Sequence, residues 1–135
     1  MQKFRSTCPI ASALDLLGDK WSLLIIRDLA FMGKRTYSEF LASEEKISTN
    51  ILADRLGWLE ENGMVSSQQD ASNKKKYNYH LTEKGLDLLP LLLEIIIWSD
   101  KHLPEHIAEQ AKFFALQIKE DKAGVLAYWR AQLSQ

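Results

Sequence analysis

A single cysteine, Cys8, stands among the 135 residues. One thiol forms no internal disulfide, so no disulfide framework holds this fold, and the usage fits a reducing compartment. Net charge is nearly absent as well: 17 Lys and Arg face 18 Asp and Glu, leaving −1. No basic balance announces a nucleic-acid partner, and any charge that serves one has to be local. Long apolar runs are missing. The richest, Leu86 to Trp98, is broken by Asp87, Pro90 and Glu94 and is too short to span a bilayer. The start MQKFRSTCPIASALDLLGDKW has no apolar stretch followed by a small-residue cleavage site. That predicts no signal peptide, no membrane partner and a cytoplasmic location. Internal repeats and low-complexity segments are also lacking.

Catalytic machinery is equally thin. An enzyme of the nucleophilic type needs a nucleophile, an activating base and an orienting acid together. Here Cys8 is the only thiol, and His80 the only histidine outside the last third of the chain. There is no GxSxG, no P-loop and no HExxH, so the expectation is a protein without catalysis and without a cofactor. His102 and His106 stand one helical turn apart near Glu105 and Glu109, but a solvated face explains them better than a metal. No metal site is expected.

What is present is a chain 46% hydrophobic and 26% charged, long enough for a real core and at most one appended arm. Its organising stretch is ISTNILADRLGWLEENGMV, Ile47 to Val65. Ser48 is a good helix N-cap, and Ile47 and Leu52 are spaced for a hydrophobic staple. Ile51, Leu52, Leu56 and Leu59 share one face with Arg55 beside them, and Asn62-Gly63 supplies the stop. The other face offers Thr49, Asn50, Ala53 and Gly57. A helix with one buried face and a thin, hydrogen-bonding N-terminal half suits the DNA major groove.

The neighbours strengthen that expectation. Residues Met1 to Thr7 read as a mobile arm carrying Lys3 and Arg5. Cys8-Pro9 opens a helix with Ile10, Ala13, Leu14 and Leu17 on its apolar face, ended by Gly18. Asp19 caps a second helix with core candidates Trp21, Leu24, Ile25, Leu29 and Phe31. Gly33-Lys34-Arg35 makes a basic turn. Thr36 and Glu39 have capping-box spacing for a short third helix around Tyr37, Phe40 and Leu41. With the helix from Ser48, this is the layout of a helix-turn-helix. Met64 to Gln69 and Tyr77 to Leu81 read as strands of a hairpin whose tip, Asp70 to Lys76, ends in three lysines. A hairpin directly after a helix-turn-helix is a wing, and Lys74, Lys75 and Lys76 are placed to grip phosphates.

Thr82 is expected to cap the next helix. From Leu86 to Trp98 that helix is apolar on nearly every face, which calls for burial all round and for a partner subunit as cover. Pro90 should kink or divide it. Pro104 should open a further helix with Ile107, Ala111, Phe114 and Ile118 on one stripe, and Gly124 should bend the tail before Val125, Tyr128, Trp129 and Leu133. The arm is either further dimer contact or the lid of a small pocket.

The blocks CPIASALDLLGDKWSLLIIRDL, GKRTYSEF, ISTNILADRLGWLEENGMV and YNYHLTEKG, in this order over about Cys8 to Lys101, resemble the HxlR-type winged-helix transcriptional regulators. The resemblance implies a homodimer on an inverted repeat of double-stranded DNA, with the helix from Ser48 reading the groove and the hairpin as wing. In several such regulators a cysteine matching Cys8 responds to electrophiles or oxidants. Asn50 and Gly57 depart from the family habit of Lys or Arg, and Asp54, Glu60 and Glu61 make this helix net acidic. Asn still reads adenine, and Ala53 can meet a thymine methyl.

The expected fold is therefore mainly α with a small β-hairpin, a winged helix-turn-helix with C-terminal dimerisation helices. Residues 1–101 form the DNA-binding domain with its dimerisation helix, and 102–135 a helical arm. The expected DNA contacts are Arg35, Lys46, Ser48, Thr49, Asn50, Ala53, Lys74, Lys75 and Lys76. Leu89, Leu92, Leu93, Ile96 and Ile97 are the expected dimer interface. Cys8, at the positive end of a helix dipole that favours a thiolate, is the candidate sensor, against a plain structural cysteine. A small-molecule effector is the further partner considered. The rival class is a winged-helix module that binds protein and no DNA.

Overall fold

The structure, a computed structural model, describes residues 3–134. Two compact units are present, Met1–Thr82 and Glu83–Gln135. The second unit takes in the apolar Leu86 to Trp98 segment together with the helices after Lys101.

The first unit begins with α1 (Pro9–Leu17), where Pro9 fills a first-turn position whose missing N–H costs nothing. Only Leu17 of its apolar face is buried; Ile10 is 72% and Leu14 55% exposed. The segment read as a mobile arm is tied to this helix, because the Arg5 side chain pairs with Asp15 and its N–H donates to the same carboxylate at 3.1 Å. Met1 and Gln2 lie outside the described residues. Asp19 then starts α2 (Ser22–Phe31), accepting from the N–H groups of Trp21 and Ser22 at 3.0 and 2.9 Å. It does what an N-cap does, satisfying orphan donors of the first turn.

Gly33, at φ +67°, reverses the chain into α3 (Tyr37–Leu41). The expected capping box is present: Thr36 Oγ1 accepts from the Glu39 N–H at 3.4 Å, and Glu39 Oε1 accepts from the Thr36 N–H at 3.1 Å. Ser48 caps α4 (Thr49–Glu61), accepting from the Ile51 N–H at 3.2 Å. The helix ends at Asn62, and Gly63 at φ +76° turns the chain so that the Met64 N–H reaches the Leu59 carbonyl at 2.9 Å. Strands β1 (Val65–Gln69) and β2 (Tyr77–Leu81) pair antiparallel with Val65 opposite Leu81 and Ser67 opposite Tyr79. The core of this unit is Ile25, Ile26, Leu29, Phe40, Leu52, Leu56, Leu59, Met64 and Val65, each essentially removed from water. At roughly 1.5–3 kcal/mol for each fully buried large aliphatic side chain, this set dominates its stability.

The second unit runs α5 (Glu83–Leu86), α6 (Leu89–His102), α7 (Glu109–Glu120) and α8 (Lys122–Leu133). Pro90 divides the apolar segment, as its lacking N–H dictates, and sits in the first turn of α6. Thr82 precedes α5, and its hydroxyl donates to the Gly63 carbonyl at 2.6 Å. The expectation of burial all round needs correction within one chain. Leu89, Leu92 and Leu93 are core residues, Ile96 and Ile97 are half-buried, and Leu91, Ile95 and Trp98 stand 42%, 41% and 58% exposed. Leu89, Leu92 and Leu93, read as interface, therefore pack inside their own chain.

Pro104 does not open a helix. It lies in a turn, and α7 starts at Glu109 after the extended Ala108. Ala115 and Ile118 form its buried stripe, with Ala111 and Phe114 half-buried. The break before the last helix falls at Asp121, not at Gly124, which sits in the first turn of α8 and donates its N–H to Asp121 Oδ1 at 3.0 Å. A Cβ at Gly124 would lie 2.2 Å from Asp121 Oδ2, so glycine is what admits this cap. Helix α7 packs against both α6 and α8, and Lys119 reaches Asp100 at 2.8 Å. Among the described residues no helix is long and apolar enough to cross a membrane.

Candidate nucleic-acid interface

Helix α4 is held from beneath by its apolar face and from the side by two polar ties. Leu52, Leu56 and Leu59 are buried, while Ile51, expected with them, is 37% exposed because its position rotates toward the rim. The Trp58 indole N–H donates to the Leu16 carbonyl at 2.8 Å. Arg55 donates to Asp19 Oδ1 at 3.3 Å and lies 5.2 Å over the Trp58 ring. Burial raises the Asp19 pKa, but donors from Ser22 and Trp21 and the Arg55 charge together hold it below the ordinary value. The carboxylate that starts α2 thereby also anchors α4.

The turn ahead of α4 rests on a charged network absent from the sequence reading. Asp28, 3% exposed, accepts from the Ser43 hydroxyl at 2.7 Å, and Lys34 Nζ donates to the same hydroxyl at 2.7 Å. Arg27 donates to Asp28 at 2.8 Å and grips both Glu45 oxygens at 2.7 and 2.8 Å. A buried carboxylate needs this much company, because an unpaired one would cost several kcal/mol, on the order of 3–5. The Arg27 hydrogen bonds hold the Glu45 carboxyl at about 2, and the two acids push the Arg27 guanidinium above its ordinary value. The only sequence signal was the adjacent pair Arg27-Asp28 inside the otherwise apolar run Leu23 to Phe31. The network fixes the Ser43–Lys46 turn, where Lys46 adopts φ +60° and projects into solvent.

On this base the residues of α4 expected to meet DNA are all open: Ser48, Thr49, Asn50, Ala53 and Gly57 are exposed. Nothing lies within 4 Å of a Cβ placed at Gly57, so this face is thin as well as polar. The wing tip is ordered by its own turn bonds, Asp70 N–H to Lys76 carbonyl at 2.8 Å and Lys75 N–H to Asn73 Oδ1 at 3.1 Å. Lys74, Lys75 and Lys76 are exposed and form no direct ion pair among the described residues.

Arg35 is placed differently from the other eight expected contacts. It is half-buried, and its NH1 donates to the carbonyls of Leu29 and Lys34 at 2.9 and 2.6 Å. Its own carbonyl accepts from the Tyr79 N–H at 2.8 Å, so it fastens the base of the wing to the turn before α3. Tyr79 packs there between Tyr37 and Phe40, with ring centroids 5.9 and 6.2 Å away, and burial raises its phenol to about 12. Between the start of α3 and the wing tip runs a groove of about 670 Å³ lined by Tyr37, Ser38, Asn73, Lys75, Lys76 and Tyr77. Sequence reasoning found its lysines but not its hydroxyls, which come from segments about forty residues apart.

Cys8 occupies the N-cap position of α1 with its side chain exposed and making no capping bond. The His102 ring lies 5.1 Å from that of Trp98, tilted by 45°, at the end of α6, while His106 lies in the following turn.

Comparison with known proteins agrees with this architecture. The HTH-type transcriptional regulator Mb3122 of Mycobacterium bovis is 36% identical over 95 residues, covering 70% of this chain and 59% of that protein. The chain thus spans about three-fifths of that relative's length. YodB of Bacillus subtilis, an HTH-type transcriptional regulator, is 38% identical over 95 residues, 70% of this chain and 84% of its own. The reduced form of YodB superposes with a TM-score of 0.58 at 36% identity, over 72% of this chain and 95% of that one, and YodB is also known quinone-bound. The redox regulator HypR in its oxidised form gives 0.62 at 29% identity, over 70% of this chain and 97% of that one. The model of the HxlR-like helix-turn-helix family matches residues 16–107, which takes in the helix-turn-helix, the wing and α6. On that match the chain belongs to the HxlR-like helix-turn-helix family.

Proposed function

We propose that the chain is a transcriptional regulator that binds an inverted repeat of double-stranded DNA as a homodimer. The observation that carries this is the exposed, thin and polar N-terminal half of α4 on a rigid base, in the same unit as a wing bearing three lysines. Thr49, Asn50 and Ala53 read base edges, with Ser48 and Lys46 on the flanking backbone. Lys74, Lys75 and Lys76 hold phosphates. A dimer sets its two copies of α4 about 34 Å apart, matching half-sites one turn apart or a multiple of it. Each unit leaves apolar residues in water for a second copy to cover, Ile10 and Leu14 on α1 in the first and Leu91, Ile95 and Trp98 on α6 in the second.

Cys8 is the responsive group in this proposal. An exposed thiol at a helix start, two residues from the open Ile10, can be attacked by quinones, aldehydes or oxidants. Added bulk there shifts a dimer whose DNA spacing tolerates little change. YodB, known in reduced and quinone-bound forms, supports this chemistry as a family capacity.

A salt-dependent gel shift on fragments from the host genome tests the DNA reading. Replacing Lys74, Lys75 and Lys76 with Ala should weaken binding to all sequences alike and lower the salt slope by about one unit per lost contact. Changes at Thr49 or Asn50 should instead alter base preference, at about 1–3 kcal/mol each. No binding to any fragment at low salt would favour the protein-binding module.

A further inference from the structure

The α7–α8 hairpin carries a groove of about 570 Å³ that no part of the DNA reading uses. Its wall is aromatic. The Trp129 ring meets Phe114 edge-on at 6.4 Å and Tyr128 at 5.3 Å with the planes at 90°. Its rim is acidic, because Glu120 and Asp121 line it and no basic side chain does. The cations of the surrounding turns are directed elsewhere: Lys119 to Asp100, Lys122 to Glu94, and Arg130 to Glu83 and Asp87. Among the described residues neither Glu120 nor Asp121 has an ion pair; Asp121 Oδ1 accepts the Gly124 N–H, and the missing Gly124 side chain leaves room for the carboxylate.

Aromatic faces beside carboxylates that no side-chain cation pairs attract a cation twice, through the negative face of each ring and through direct charge. A neutral aromatic molecule gains only the burial of its ring, and an aromatic acid is repelled. The groove is of the size that takes a small organic ligand. All of these lining residues lie beyond residue 107, where the family match ends.

We propose that this groove binds an organic cation, an aromatic molecule bearing a quaternary or protonated amine. Its ammonium sits at Glu120 and Asp121, and its ring lies against Tyr128 and Trp129.

The test uses the full chain and benzyltrimethylammonium as probe, followed through the indole N–H resonances by NMR. The Trp58 indole, bonded to the Leu16 carbonyl, serves as internal reference. A saturable shift of the Trp129 resonance is expected, with benzyl alcohol binding about 5-fold more weakly or worse and benzoate giving no shift. Glu120→Gln and Tyr128→Ala change exposed side chains, leave the fold intact, and should each weaken the probe about 3-fold or more. The proposal is overturned if Trp129 shows no saturable shift, if benzyl alcohol binds as well as the cation, or if Glu120→Gln binds undiminished. None of these readouts involves DNA, so the outcome stands apart from that of the gel shift.

Discussion

The indole of Trp58 donates its N–H to the carbonyl of Leu16 across 2.8 Å, tying the last turn of α4 to the end of α1. The bond joins residues 42 positions apart and satisfies a carbonyl near the helix end. Trp58→Phe keeps a ring under Arg55 but orphans that carbonyl. Urea unfolding should show a loss of about 1 kcal/mol with an unchanged m-value. An unaltered midpoint would mean that water replaces the indole freely.

The Arg27–Glu45 pair sets a pH dependence. Glu45 titrates at about 2 in the fold against 4.5 ordinarily, held down first by the Arg27 hydrogen bonds. A lowered carboxylate contributes stability that is full above the unfolded value and is lost as pH falls through the folded one. Glu45→Gln should therefore unfold more easily than the parent at pH 6. The side chain is 37% exposed, so the difference should stay under about 1 kcal/mol. It should shrink as the pH is lowered from 4.5 toward 2. A gap that is constant with pH in thermal melts would assign the effect to packing.

Two substitutions on α6 should behave oppositely. Leu89, 1% exposed, is core, and Leu89→Ala should cost about 2–5 kcal/mol whatever the oligomeric state. Ile95, 41% exposed, has little to lose in the single chain. Ile95→Lys should leave the helical content unchanged while sedimentation shows a monomer in place of a dimer. A parent protein that is already monomeric at micromolar concentration would remove the dimer from the proposal.

Cys8→Ser should retain DNA affinity and abolish any response to quinones, aldehydes or peroxide, measured by gel shift before and after treatment. Alkylation of the native protein across pH provides the independent check. A thiol unreactive until strongly alkaline pH is structural, and an effector would then have to act at another site.

Much of this protein was determined locally. Ser48, the Thr36–Glu39 pair, the Asn62-Gly63 stop and the Pro90 break depend on neighbours within about four residues, so spacing alone located the ends of these elements. The alternation around Tyr79 and the lysine-bearing tip located the wing for the same reason. Tertiary structure decided which apolar faces found cover. Periodicity marks a face as apolar but does not name what lies against it. Thus α1 leaves Ile10 and Leu14 in water, α6 turns Leu89, Leu92 and Leu93 inward, and Ile95 and Trp98 stay outside. The polar ties were settled only in three dimensions too. Trp58 to Leu16, Arg27 to Glu45 and Asp28 to Ser43 join residues 15 to 42 positions apart. Such pairs carry no local signal, because either residue taken alone would serve equally well on a solvated surface.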